Sequence, residues 1–394
     1  VRGFGSGKAL YPDLTEQQGN NSGNDGALSV NTDGWKFTTT GARVNDAQDY
    51  VGWCWKAGGN KNTFNVDGVG YANASDVSMD VGGLNNSVYN ISGWVAATTA
   101  SNLWPGAVLS TIFNGQDGGS FHGDLATTLH LQWSSGTING KVRLKLRTYG
   151  TAVHSYKNNS GDAITITVPT LSTFDWYDLG NIDLTDYYGT CPSSGNAAAI
   201  EAIELDGKIL VDSGQTPTNA PTIAATGASV GTKQGFSIIK FTGTGVAGSV
   251  PHGLAQKPDF IIAKNIDGTA NNWGVHHSSL TGPTYTLYLD GNALAAAETL
   301  IWPSASTNSL INVGSGALIN ESTKSTILYS WHNVPGLQKF GTWTNNGSDD
   351  GTFVELGFRP AILLLKCTDA GEEWYIINDD RYPNNLGPGT VSYT

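Results

Sequence analysis

The sequence predicts an all-β protein, and three features of its composition point to that class. Glycine fills 51 of 394 positions, about 13%, whereas about 7% is usual in proteins. Charged residues make up only 14% and there is a single methionine, so the chain has little material for long solvated helices. Its 12 tryptophans, 15 tyrosines and 12 phenylalanines lie among abundant threonine, valine and isoleucine, which favours strands over collagen or disorder.

The charge balance excludes one class of partner and the hydropathy pattern excludes another. With 21 basic and 33 acidic residues the net charge is −12, and no basic run stands out, so a nucleic-acid backbone would be repelled. The longest apolar run covers residues 361–365, which suits one buried strand and is far too short to span a membrane. The sequence therefore predicts neither nucleic-acid binding nor membrane insertion.

An internal repeat organises much of the chain. Two copies, about one hundred residues apart, each contain an aromatic strand start, a glycine-rich turn, a proline before an apolar run, a lysine and a tryptophan. These residues are Phe236, Pro258, Lys264 and Trp273 in the first copy and Phe340, Pro360, Lys366 and Trp374 in the second. The proline and the lysine are six residues apart in both copies, and the lysine and the tryptophan are nine and eight apart.

The N-terminal segment matches the second half of the same repeat. Superposing Trp55 on Trp331 aligns the apolar runs around them and brings Tyr11 within one residue of Tyr288. Both ends of the chain then cut through a domain, so we expect an excerpt of a longer protein. The alternative is that half-repeats of neighbouring subunits complete each other.

The segments between the repeats divide into two linkers and an inserted domain. The linkers are rich in small residues and poor in large apolar ones. Between them, short alternating runs predict strands at 86–98, 107–113, 128–133, 141–149, 163–168, 175–183, 198–205 and 208–211. This spacing predicts a jelly-roll or lectin-like β-sandwich.

The predicted fold is thus a set of tandem antiparallel β-sandwich repeats with one inserted β-sandwich. The expected domains are 1–59, the C-terminal half of a repeat; 60–80, a linker; 81–216, the inserted sandwich and possible glycan-binding module; 217–235, a linker; 236–336, a complete repeat; and 337–394, the N-terminal half of a further repeat.

The predicted strand 141–149 carries four cations on a single face. These are Lys141, Arg143, Lys145 and Arg147, and the apolar residues between them face the other way. Two interpretations stay open: a solvated sheet face, or a patch that binds an anion or an acidic glycan.

Aromatic residues give the clearest binding signal in the inserted sandwich. Aromatic faces stack on sugar rings while neighbouring polar groups bond the hydroxyls. Trp104 precedes a Pro-Gly pair in a predicted loop, and Tyr187 and Tyr188 must lie on opposite faces of a strand, which exposes one of them. Trp104, Tyr187 and Tyr188 are therefore the candidate glycan-binding residues.

No catalytic motif is present in the sequence: the nucleophile elbow, phosphate loop, dinucleotide fingerprint and HExxH pattern are all absent. Glu201 and Glu204 are three residues apart, so on a regular strand they point to opposite faces and do not form a glycosidase pair. Asn114, Asp117 and Asp124 share a glycine-rich loop and are a calcium candidate without EF-hand spacing. A plain exposed loop is the favoured interpretation of that segment, and we expect no enzyme activity, no cofactor and no metal.

The repeated segments carry a resemblance to a known family. The matching residues are 235–245, 252–254, 257–258, 261–265, Trp273 and 357–360, together with a unit-closing strand at 49–59. They resemble virion-associated repeat domains in tail-fibre-like and other structural proteins of marine, especially cyanobacterial, tailed phages. The resemblance covers about residues 1–78 and 224–394. It implies a location at the virion surface, association with other virion proteins and a homo-oligomer, trimeric as expected for fibres; it supplies no catalytic residues.

The sequence is compatible with three functions. The leading expectation is a tail fibre or similar appendage subunit whose inserted sandwich contributes to host attachment by contacting a surface glycan. A capsid decoration or capsid-fibre protein would use the same modules. A secreted carbohydrate-active enzyme or adhesin is the third alternative.

Overall fold

The computed structural model describes residues 8–17, 19–20, 28–30, 34–37, 52, 54–77, 89–115, 121–122, 127–170, 173–215, 217, 220–269 and 271–378. Strands account for 41% and helices for 5%, which confirms the predicted all-β class. The chain forms two compact units: a split unit made of Val1–Ala74 and Pro221–Thr394, and an inserted unit made of Ser75–Ala220. Within the described ranges, no helix is long and apolar enough to cross a membrane.

The described strands are mostly short and follow one another along the whole chain. In order they are β1 (Lys8–Ala9), β2 (Gly19–Asn20), β3 (Leu28–Val30), β4 (Trp35–Phe37), β5 (Phe64–Val66), β6 (Val69–Tyr71), β7 (Tyr89–Ser92), β8 (Thr99–Ser101), β9 (Phe121–His122), β10 (Thr128–Gln132), β11 (Asn139–Tyr149), β12 (Val153–Asn158), β13 (Ile164–Ile166), β14 (Asp175–Thr190), β15 (Ala197–Leu205), β16 (Lys208–Asp212), β17 (Ala225–Gly231), β18 (Phe236–Thr242), β19 (Gly248–Pro251), β20 (Phe260–Asn265), β21 (Gly274–His277), β22 (Tyr285–Tyr288), β23 (Ala296–Ala297), β24 (Leu310–Val313), β25 (Ser325–Trp331), β26 (Ile362–Leu365) and β27 (Tyr375–Asn378). The described helices are single turns: 3₁₀ turns at Ala74–Asp76 and Leu109–Phe113, α1 (Trp94–Ala97) and α2 (Ala317–Asn320).

Two sheets that share one long strand form the inserted unit. The first half of β14 pairs with β11, and its second half pairs with β10 and β12. Sheet I has the order β14-β11-β15-β16-β7, with β9 also beside β15. Sheet II has the order β8-β10-β14-β12-β13.

The core of the inserted unit takes one face from each sheet. Leu144 of sheet I and Leu131 of sheet II are both fully buried in the same cluster, together with Trp133 and Leu184. Because side chains alternate across a strand, the residues between these apolar positions face outwards and are free to be polar. The two outward faces are therefore the surfaces on which a ligand could bind.

A nine-stranded sheet dominates the described part of the split unit. Its order is β23-β22-β21-β20-β25-β18-β17-β5-β6. Most ladders are antiparallel as predicted, but β17 pairs with β5 in parallel, and in the inserted unit β16 pairs with β7 in parallel. In each parallel pair the two strands are separated by a long segment of the chain, because parallel strands cannot be joined by a tight turn.

The two predicted linkers, 60–80 and 217–235, are wrong because both contain strands of this sheet. The first forms the hairpin β5–β6, and the second contributes β17. Small residues in both segments allow close packing: a Cβ at Gly70 would lie 2.8 Å from the Cβ of Lys61, and one at Gly231 would lie 3.3 Å from the carbonyl oxygen of Lys56. The half-repeat boundaries drawn on either side of 236–336 remain a prediction.

Two predicted strands of the inserted unit are also wrong in part. The segment 86–98 contains the short strand β7 and then α1, whose Trp94 indole donates to the carbonyl of Asn90 at 2.7 Å. The segment 107–113 ends in a 3₁₀ turn that buries Ile112 and Phe113. A short apolar run has no periodicity long enough to separate a strand from a turn of helix.

Candidate binding surfaces of the inserted unit

The outward face of sheet II is polar across its central strands. In β10 the fully buried Leu129 and Leu131 alternate with Thr128, His130 and Gln132 on the outer side. These outer residues pair in register with outer residues of β14, and His130 lies opposite Tyr188. The pairing places one aromatic side chain in the middle of a polar sheet face.

His130, Tyr188 and Asp186 form a compact hydrogen-bonded cluster on this face. The His130 ring stacks on the Tyr188 ring with centroids 4.6 Å apart and planes 12° from parallel. His130 Nε2 donates to Asp186 Oδ1 at 2.7 Å, and the Tyr188 hydroxyl donates to the same oxygen at 3.3 Å. We call these three residues the Tyr188 cluster.

Hydrogen bonds favour the ionised form of the Asp186 carboxyl, which lies at a largely buried position of this face. Burial opposes ionisation of Asp186, but hydrogen bonds from His130, Thr185 and Tyr188 outweigh it and lower the pKa of this carboxyl. The side chains of His130 and Asp186 are 30% and 10% exposed. The arrangement can therefore offer a fixed anionic acceptor to a ligand hydroxyl at neutral pH.

The neighbouring strand β12 completes the surface with a cation and a small residue. Ser155 pairs opposite Tyr188, and Lys157 pairs opposite Asp186. Lys157 Nζ lies 5.9 Å from the centroid of the Tyr188 ring. Donors and an acceptor thus surround one aromatic ring, the combination that saccharide recognition requires.

Tyr187, a predicted glycan-binding residue, lies in the core and not on the surface. It is 0% exposed, and its hydroxyl lies 2.7 Å from Nδ1 of His154. The other nitrogen of His154 lies 2.9 Å from the hydroxyl of Thr148. Burial lowers the pKa of His154 to about 4, so this is a neutral internal network that satisfies the polar atoms of core residues. The prediction that Tyr187 and Tyr188 lie on opposite faces is right, and it excludes Tyr187.

The remaining predicted site residues lie elsewhere in the inserted unit. Trp104 is partly buried in a turn closed by the Ala107 amide, which donates to the Trp104 carbonyl at 2.8 Å. Asn114 is partly buried at the end of the 3₁₀ turn. Asp117 and Asp124 lie outside the described residues, and the described ones include no metal-binding group of His, Cys, Asp and Glu.

The predicted cationic face of β11 is largely neutralised by acidic neighbours. Arg143 donates to both carboxylate oxygens of Glu204, at 2.8 and 2.6 Å, and Lys145 Nζ lies 2.7 Å from Glu201. Lys141 Nζ is 3.5 Å from Asp178 at a more exposed position. This pattern favours neither a solvated face nor an anion-binding patch, because Arg143 and Lys145 are occupied by partly buried ion pairs.

A β-bulge explains why Glu201 and Glu204 share this face against expectation. In the ladder between β11 and β15, Lys145 pairs with Ala202 but Leu146 pairs with Ile200, so Glu201 is the extra residue. A bulge shifts the alternation by one position. The three-residue spacing predicted opposite faces for Glu201 and Glu204, but the extra residue of the bulge places them on the same face.

The residues that form the Tyr188 cluster were mostly missed from the sequence. The sequence predicts only Tyr188 of this cluster, because His130 and Asp186 lie on different strands whose register a single sequence does not reveal. The signal that was available is the alternation in β10, where polar residues separate two leucines.

The fold and these surfaces define an all-β protein in which a two-sheet unit with polar outer faces is inserted into a second β unit. Within it, residues 211–391 are similar to a domain of unknown function, DUF7483, so the match runs from the end of the inserted unit through most of the second part of the split unit. No protein of curated function matches the chain.

Proposed function

We propose that this chain is a non-enzymatic structural component of a tailed-phage virion, an appendage subunit such as a tail fibre, whose inserted unit binds a host-surface glycan. The repeated motifs, the acidic composition and the resemblance of the repeats to virion-associated domains support the virion assignment. The Tyr188 cluster is the observation that carries the binding assignment.

The chemistry of the cluster suits a saccharide better than a protein or a nucleic acid. Asp186 supplies a fixed acceptor and Tyr188 an aromatic ring, and Lys157 on the neighbouring strand adds a donor. Sugars present many hydroxyls around apolar ring faces, so they need such mixed polar and aromatic surfaces. The net charge of −12 disfavours nucleic acid.

The disposition of the carboxylates supports binding rather than glycoside hydrolysis. Glu201 and Glu204 share a face, but each is engaged by a cation, and Glu204 is bonded through both oxygens. A glycosidase needs one carboxyl group to hold a proton and the other to attack or to activate water. Both carboxylates are instead engaged in ion pairs with Lys145 and Arg143, so neither is positioned to take one of these two roles.

The virion assignment is tested by mass spectrometry of purified phage particles. The chain is expected among the structural proteins, and gold-labelled antibody is expected at the tail appendages. Label over the capsid would favour the decoration alternative. Absence of the chain from virions, with reducing-sugar release from host envelopes by the purified protein, would overturn the proposal in favour of an enzyme.

The binding assignment is tested with the full chain on arrays of host polysaccharides. Asp186→Asn keeps the side-chain shape but removes the charged acceptor, so affinity is expected to fall about tenfold or more. Tyr149→Ala is the matched control, because Tyr149 is an exposed tyrosine of the same unit at the end of β11. Equal binding by wild type and Asp186→Asn, or no binding to any host glycan, would refute the assignment.

A further inference from the structure

The two copies of the repeat place their lysine and tryptophan at the same position of a hairpin. The ladder between β20 and β21 ends with Ala263 opposite Gly274, so Lys264 and Trp273 are the next facing positions. The ladder between β26 and β27 ends with Leu365 opposite Tyr375, which makes Lys366 and Trp374 the next facing positions there. The spacings of nine and eight residues thus differ only in the hairpin loop.

In the first copy this pair holds the main chain of the N-terminal segment. Trp273 Nε1 donates to the carbonyl of Tyr11 at 2.9 Å, with a longer contact of 3.2 Å to the Leu14 carbonyl. Lys264 Nζ donates to the carbonyl of Thr15 at 2.9 Å. The tryptophan thus bonds a tyrosine carbonyl, and the lysine bonds the carbonyl four residues later.

In the second copy the pair makes the same contacts with a different loop. Trp374 Nε1 donates to the carbonyl of Tyr288 at 2.7 Å, and Lys366 Nζ donates to the carbonyl of Asn292 at 3.3 Å. The tyrosine and the lysine-bonded residue are again four positions apart. Two independent contacts in one chain therefore follow one pattern.

The two bonded loops are themselves similar. One reads Tyr-Pro-Asp-Leu-Thr over residues 11–15 and the other Tyr-Leu-Asp-Gly-Asn over residues 288–292, so tyrosine and aspartate recur at the same places. Recognition acts on main-chain carbonyls, which explains why the other three positions differ. In each case the loop comes earlier in the chain than the hairpin that bonds it.

We propose that the lysine and tryptophan at the end of each hairpin are the docking element between consecutive repeats, and that their partner is the Tyr-x-Asp loop of the repeat that precedes them. The partner is therefore another repeat of the same kind. This proposal does not depend on the virion assignment, because it concerns only how repeats join.

Because Lys264 is buried, its ammonium group needs hydrogen-bond acceptors. Lys264 is 0% exposed; its ammonium also bonds the carbonyl of Asn271 and lies 5.7 Å from the Trp273 ring centroid. A buried ammonium is costly unless its hydrogens are bonded. If the loop carbonyl left, Lys264 would lose one of the hydrogen bonds that compensate the burial of its ammonium, which favours docking.

The second junction adds contacts that report on docking directly. The Ala295 amide donates to the Thr368 carbonyl at 2.9 Å, and Asn292 Nδ2 donates to Glu373 Oε1 at 3.2 Å. At the first junction the Leu14 amide donates to the Tyr11 carbonyl within the bonded loop. Protection of the Ala295 amide therefore reports the second junction directly, and protection of the Leu14 amide reports the order of the loop whose Tyr11 carbonyl is bonded by Trp273 at the first junction.

Hydrogen exchange of the full chain with Trp273→Phe and Trp374→Phe tests the proposal. Trp273→Phe removes one indole donor and is expected to speed exchange of Leu14 about fivefold to tenfold while Ala295 stays at the wild-type rate. Trp374→Phe is expected to do the reverse. Trp133→Phe, which removes a buried indole donor in the inserted unit, is the matched control and should change neither amide.

Lys264→Met and Lys366→Met provide a second pair of variants in case an aromatic substitution unfolds the unit. They keep the side-chain stem and remove the ammonium, and each is expected to act only on its own loop. Faster exchange confined to the matching loop supports the docking element. Unchanged exchange in the matching loop, or equal changes in both loops with the strand 325–331 still protected, would overturn it.

Discussion

Substitution of Glu204 distinguishes a buried ion pair from a solvated sheet face. Glu204 and Arg143 are bonded through two nearly parallel contacts, and their side chains are 3% and 16% exposed. Glu204→Gln keeps the shape of the side chain but leaves the guanidinium opposite a neutral amide. Arg143→Met leaves the more deeply buried carboxylate without this cation.

The size of the effect follows from which charge is left behind. Removing one partner of a buried ion pair costs about 3 to 5 kcal/mol, because the remaining charge is neither solvated nor paired. We expect about 3 kcal/mol for Glu204→Gln, since Arg143 retains some solvent and lies 5.0 Å from the centroid of the Trp176 ring. Arg143→Met should cost more. Arg143→Met combined with Glu204→Leu removes both charges and should cost less than either single change.

Native-state hydrogen exchange is the suitable assay, because a chain of two units need not unfold in one step. Amides of β11 and β15 report the opening of the inserted unit, and a loss of about 3 kcal/mol accelerates their exchange more than about 100-fold. Strand β25 in the split unit is the internal reference and should not change. Acceleration below about threefold for both single variants, or faster exchange in the double variant than in either single one, would refute the reasoning.

Three further predictions use single substitutions. Gly58→Ala should destabilise the split unit by about 3 kcal/mol in urea, because its Cβ would overlap the Val230 backbone, whereas Gly341→Ala, with open space, should stay within about 0.5 kcal/mol. Asn320→Ala should cost about 3 kcal/mol in thermal unfolding, because the backbone groups of Thr244, Val246 and Gly314 lose their hydrogen bonds to the fully buried Asn320 side chain. His154 has a folded pKa of about 4 against an ordinary 6.5, so the inserted unit should lose up to about 3 kcal/mol as pH falls between these values, and a His154→Gln titration should lack that slope.

Composition and alternation were sufficient to predict the class of the fold and most strands of the inserted unit. In β11 the alternation of cations with Val142, Leu144 and Leu146 placed the core face correctly. Asp206 and Gly207 separate the predicted strands 198–205 and 208–211, and in the structure they form the turn between β15 and β16 with positive φ, at 52° and 78°. Such local signals depend only on residues that are neighbours in the sequence, so they predict structure without knowledge of the partner strand.

Long-range packing explains the predictions that failed. The segment that became β17 is Ala-Thr-Gly-Ala-Ser-Val-Gly, whose lack of large side chains suggested a linker. In the structure Gly231 at the end of β17 lies close to the backbone of Lys56 and Ala57, where an added Cβ would be 3.3 and 3.4 Å away, so this composition serves a closely packed strand. Strand β12 was not predicted because its inward residues, His154 and Tyr156, are polar or amphipathic. His154 fits the core only because its ring nitrogens are bonded to the hydroxyls of Tyr187 and Thr148.

The lysine and tryptophan spacing shows how two similar segments of this chain keep one geometry while their loops differ in length. Counted along the sequence, nine residues separate the pair in one copy and eight in the other, which suggests an imperfect match. Counted along the ladders, both pairs occupy the first position beyond the last paired residues. A hairpin loop can gain or lose a residue without moving the strands, because register is set by the side chains that face the core. Ladder position is therefore the better criterion for recognising further repeats of this kind, and their tyrosine loops should lie one repeat earlier in the chain.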